Sequence, residues 1–68
     1  SGLTQWEFNM IRRALIEMLG EKPGSVFELA RLLPLEQEKN VQALRFLLDH
    51  DDQFHLKDEY ISFVKRTD

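Results

Sequence analysis

From Phe8 to Leu19 the apolar residues recur at helical spacing. At about 100° per residue, Phe8, Ile11, Ala14, Leu15, Met18 and Leu19 gather on one broad stripe, the width expected of a helix packed on a core. Thr4-Gln5-Trp6-Glu7 fits a capping box, in which the Thr hydroxyl accepts from the third helical amide and Glu reaches back to the cap. The helix is predicted to start there and to end at Gly20 and Pro23-Gly24. Ser25-Val26-Phe27-Glu28 repeats the cap pattern, and Val26, Leu29, Ala30, Leu32 and Leu33 predict a short second helix over 26–33, stopped by Pro34. After the tight connection at Pro34-Leu35, Glu36 and Glu38 place acids where they complement the dipole of a third helix. Val41, Leu44, Leu47 and Leu48 share one face of that helix, and His50-Asp51-Asp52 closes it in polar residues.

At Phe54 the period changes. Phe54 and Leu56 alternate with His55 and Lys57, Asp58-Glu59 can turn, and Tyr60, Ser62 and Val64 alternate with Ile61 and Phe63. The expectation is an α+β domain of three helices with a C-terminal two-stranded β-hairpin. It should occupy 4–66 as one unit, with 1–3 a tag remnant or disordered start and 67–68 a tail.

Composition narrows the function classes. A chain of 68 residues is one domain at most, and at that size only about 60% of the unfolded surface is buried on folding, which leaves little room for a deep catalytic cleft. The hydrophobic share of 43% is too rich for a disordered segment, so a packed core is expected. With no cysteine there is neither a disulfide nor a thiolate metal site, and an intracellular setting is only the default expectation. No apolar run approaches the roughly 20 residues of a membrane span. Twelve acids against nine bases give a formal charge of −3, which disfavours a protein that coats phosphates without selectivity.

The run from Ser25 to Leu33, then Asn40 to Leu48, then Phe54-His55-Leu56-Lys57, resembles the second helix, recognition helix and wing of the winged-helix (winged helix-turn-helix) superfamily. The resemblance makes 36–49 the recognition helix and 57–60 the tip of the wing, parts that commonly meet a DNA groove and backbone. The pattern is apolar spacing, specific for fold and weak for function. An acidic balance is similar to that of the winged helices used as protein-docking modules in transcription or DNA-transaction machinery. One such module is the C-terminal domain of the replication protein A middle subunit, to which this chain is similar in its Gly2-Leu3-Thr4 entry and order of elements.

Turning the third helix with its apolar face inward leaves Glu38, Lys39, Gln42, Arg45 and Asp49 outward as a candidate recognition face, mixed in sign. Lys57, Lys65 and Arg66 are candidate wing contacts, offset by Asp58 and Glu59. This surface admits a solvated face, a protein contact or a DNA contact. On helix one, Trp6, Met10 and Arg13 share a flank away from the core stripe and make a candidate protein anchor, with Phe46 as a second. The plainer expectations are that Trp6 folds back over the hairpin or the helix end and that Phe46 packs under the wing. His50 and His55 beside Asp49, Asp51 and Asp52 match no zinc spacing. No nucleophile, phosphate-binding glycine loop or cofactor motif stands out, so the expected function is a non-catalytic interaction module with a protein partner. A sequence-specific DNA-binding domain, dimeric or beside a more basic domain, is the alternative. Neither a membrane nor a small-molecule substrate is expected.

Overall fold

The computed structural model describes residues 2–67. Helix α1 spans Gln5–Met18, strand β1 Gly24–Ser25, α2 Val26–Leu32, α3 Gln37–His50, β2 Phe54–Lys57 and β3 Tyr60–Phe63. The predicted capping box is formed: the Glu7 amide donates to Thr4 Oγ1 at 3.0 Å, and the Thr4 amide donates to Glu7 Oε1 at 3.0 Å. Ser25 Oγ accepts from the Glu28 amide at 3.4 Å and caps α2. The second helix starts at Val26 as expected and ends one residue early, and both ends of the third shift by one residue from expectation. Leu33 is already extended and serves as the C-cap of α2, while Glu36 is the extended N-cap of α3.

β2 and β3 form the expected hairpin, pairing Phe54 with Phe63 and Lys57 with Tyr60 around a two-residue turn. Asp58 and Glu59 have φ of 51° and 69°, the doubly left-handed backbone whose twist suits a tight hairpin. The sheet has a third strand that the sequence pattern does not reveal. β1 pairs antiparallel with β3, Gly24 opposite Ile61 and Ser25 opposite Tyr60, to give the order β1-β3-β2. Two residues are too few to show a period. The result is a small α+β domain, three helices on a three-stranded antiparallel sheet, in an order compatible with a winged-helix-like fold.

Ile11, Leu15 and Leu19 of the first helical segment meet Leu29, Ala30 and Leu33, then Ala43, Leu44 and Leu47, with Phe54 and Ile61 closing the core from the sheet. Fully burying one such aliphatic side chain is worth about 1.5–3 kcal/mol, so helix packing rather than helix propensity holds the elements. Two residues expected in the core lie outside it. Leu32 is 62% exposed and Met18 is exposed, because the buried stripes run through Leu29-Ala30-Leu33 and Ile11-Leu15-Leu19, leaving both on the stripe edges at helix ends. Gly24 sits where a Cβ would meet Leu29 Cδ1 at 3.2 Å and Leu19 Cδ2 at 3.3 Å, so the first strand can lie close on the core. Leu3 is half-buried and packs on the core as well.

Candidate functional site

The rotation of α3 is set by Asn40, Ala43, Leu44 and Leu47, all buried. The opposite arc carries Glu38, Gln42, Arg45 and Asp49, all exposed, so four of the five predicted recognition-face residues do share one surface. Lys39 departs from that expectation. It lies on the flank toward α1, where its Nζ donates to Glu7 Oε2 at 2.8 Å. The Glu7 carboxylate thus caps α1 with one oxygen and ties α1 to α3 with the other. Lys39 and then the Thr4 amide hold the Glu7 carboxyl below its ordinary range, and the same contact raises Lys39. What remains outward on α3 is Arg45 against Glu38 and Asp49.

Phe46 does not pack under the hairpin. It stands on the same α1-facing flank, 52% exposed, with the Phe8 ring edge-on at 5.3 Å and the His50 ring at 4.5 Å. Turning Ala43 and Leu47 into the core swings residue 46 toward the N-terminal half of α1, and Phe8 receives it. Between them the two helices form an open groove of about 710 Å³, lined by Leu3, Phe8, Gln42, Phe46, Asp49 and His50.

Trp6 does not fold back over the hairpin or the helix end either. It is 72% exposed, since burial of Ile11 and Leu15 turns its side of α1 to solvent. Met10 and Arg13 share its arc, Met10 half-buried and Arg13 exposed, so Trp6, Met10 and Arg13 are brought together while Phe46 is not among them.

The hairpin cations diverge. Lys57 is exposed opposite Tyr60, and Lys65 is exposed beyond β3. Arg66 donates to Asp52 Oδ1 at 2.9 Å. Among the described residues Arg45, Lys57 and Lys65 take part in no ion pair, whereas Lys39 and Arg66 are each held by a carboxylate.

Two structural residues escape the sequence reading. Arg12 Nε donates to Asp51 Oδ2 at 2.9 Å, its Nη2 reaches Gln53 Oε1 at 3.3 Å, and its guanidinium lies 5.5 Å from the Phe54 ring centre. Burial would raise the Asp51 carboxyl, but the Gln53 amide and Arg12 outweigh it and hold it below its ordinary value. Asn40 is 1% exposed and bonds to the α2-α3 connection. Its signal was available, since an Asn four and seven residues before Leu44 and Leu47 falls on their apolar stripe.

Among the described residues no group of three or more His, Asp or Glu side chains converges on a point that could hold a metal ion. No described helix is long and apolar enough to cross a membrane. No family model matches the chain, and comparison with curated proteins and with solved structures gives no significant match.

Proposed function

We propose that this domain is a non-catalytic interaction module of winged-helix type, with Gln37–His50 in the recognition-helix position and the Phe54–Phe63 hairpin as the wing, and that its partner is a protein. The observation that carries the reading is the loss of Lys39 to Glu7. A helix that reads DNA needs cations around its base-contacting side chains, because phosphate neutralisation supplies most of the affinity. Here the outward arc keeps one cation, Arg45, beside Glu38 and Asp49, and the wing tip adds Asp58 and Glu59 next to Lys57. Exposed aromatic side chains on α1 and α3 are the kind of group that anchors protein contacts. A regulatory or scaffolding role in a transcription or DNA-transaction protein fits such a module.

The test is an amide-shift titration with a mixed-sequence duplex at low and at physiological salt. Docking predicts unchanged spectra even at low salt. Shifts along Glu38, Gln42, Arg45 and Lys57 that fade as salt rises would establish the DNA-binding alternative instead.

A further inference from the structure

We infer that the groove between α1 and α3 takes an arginine side chain presented by a partner protein, an inference that rests on the docking reading and names the chemistry of the partner. Three features of the groove converge. Its floor is aromatic and stays open: the Phe8 and Phe46 rings stand nearly perpendicular at 5.3 Å, the His50 ring lies against Phe46 at 4.5 Å, and Phe46 is still 52% exposed. Its rim carries one charged group, the Asp49 carboxylate, which among the described residues has no ion-pair partner, unlike Glu7, Asp51 and Asp52 nearby. Its third wall is Gln42, whose side chain lies one turn before Phe46 on the same helix face.

An apolar stem would lie along the rings and a planar cation would stack on Phe46 while reaching Asp49. Arginine meets both demands, because its guanidinium is weakly hydrated, stacks on aromatic faces and forms forked bonds with a carboxylate. A lysine ammonium gains less from stacking and holds its water more strongly. An aspartate or glutamate in the same place would face Asp49 and be repelled. The phosphate backbone of a nucleic acid is rejected for the same reason. The adjoining depression on the other side of Phe46 is lined by Asp51, Asp52, Arg12 and Arg66, whose charges are already paired, so of the two depressions beside Phe46 it is this groove that holds the unmatched charge.

Titration of the 68-residue chain with three probes tests this: an amphipathic peptide bearing arginine and leucine at alternate helical turns, the same peptide with glutamate for arginine, and a mixed-sequence duplex. The arginine peptide is expected to shift the amides of Phe8, Gln42, Phe46, Asp49 and His50, with the glutamate peptide silent. Asp49→Asn and Phe46→Ala should each weaken binding about tenfold, whereas Lys57→Ala, exposed on the hairpin and outside the groove, should leave it unchanged. Both substitutions are at exposed positions, and amide spectra of the free variants establish that they fold. Silence of the groove amides up to about 1 mM peptide, or equal binding of the glutamate peptide, overturns the arginine assignment while leaving protein docking in place if the duplex is also silent. Duplex shifts along the outward face of α3 would overturn the docking reading itself.

Discussion

Asn40 donates to the carbonyl of Ala30 at 2.8 Å across the α2-α3 connection, and that carbonyl is one that helix geometry leaves empty. The residue four places after Ala30 is Pro34, which has no amide hydrogen to offer. The same Asn40 amide group serves the carbonyls of Leu33 and Leu35 at 3.0 Å each, and Asn40 Oδ1 accepts from the Leu35 amide at 3.1 Å. One buried side chain therefore replaces the backbone bonds that the proline turn removes.

Replacing Asn40 should be among the costliest single changes in the domain. Asn40→Leu keeps a similar volume but strands the buried backbone groups, and a loss of about 2–4 kcal/mol is expected in urea unfolding. Asn40→Asp separates hydrogen bonding from shape. An ionised carboxylate accepts from Leu35 but has no hydrogen for the carbonyls that share the two Asn40 amide hydrogens, so its folded-state pKa lies above its unfolded one. The variant should then gain stability as pH falls through that raised value, the reverse of the parent protein, and a parent-like acid limb would refute the donor role.

The Glu7-Lys39 and Arg12-Asp51 contacts contribute a pH dependence to the stability of the wild-type chain. Glu7 is held below its ordinary 4.5 and Asp51 below 3.8, so their contributions are complete above those values and are lost as pH falls through the depressed folded ones. Lys39 is raised above 10.5, so its contribution is present below that pH and disappears only at higher alkalinity. Thermal unfolding followed by circular dichroism should show a plateau between these limits and a falling acid limb. Glu7→Gln should make the acid limb shallower, since glutamine retains a cap acceptor but has no charge to lose.

How far the sequence carried the fold is clearest at the caps and turns. Thr4 with Glu7, Ser25 before Glu28, and the Asp58-Glu59 reversal are short-range patterns, and each places its element to within a residue. The short β1 carries no period and is fixed only by its partner Ile61, distant in sequence. The candidate site was legible as a set of exposed positions on α3. Lys39 and Phe46 were misplaced because their surroundings come from Glu7 and Phe8, more than thirty residues away in sequence, whose approach depends on how two helices cross.

The turn of the hairpin offers a gain of stability. Asp58 tolerates left-handed backbone better than most residues, but Glu59 at φ 69° has no side-chain reason to be there. Its carbonyl accepts from the Val26 amide at 2.9 Å, so the surrounding structure holds the conformation in place. Glu59→Gly should stabilise the domain by about 0.5–1 kcal/mol, because glycine removes the left-handed strain at some cost in unfolded-state entropy. Urea midpoints would show it, and a destabilised variant would mean that the Glu59 side chain makes a compensating contact.

Exposure separates the aromatic and aliphatic residues that build the domain from those available to a partner. Ile11 is 0% exposed at the centre of α1, and Ile11→Ala should cost about 2–5 kcal/mol through lost transfer energy and the cavity left behind. Trp6, one and a half turns earlier on the same helix, lies on the opposite arc, and Trp6→Ala should change stability by less than about 0.5 kcal/mol. Phe46→Ala falls between them: it loses the Phe8 and His50 ring contacts, worth about 1 kcal/mol together, and no core volume. Measured together in one urea series, these three substitutions decide whether the exposed rings are structural. If Trp6→Ala proved as costly as Ile11→Ala, the ring would be packed in solution and could not serve as an anchor. If the expected order holds, any loss of partner binding in Trp6→Ala or Phe46→Ala reads directly as a lost contact, because the fold beneath it is intact.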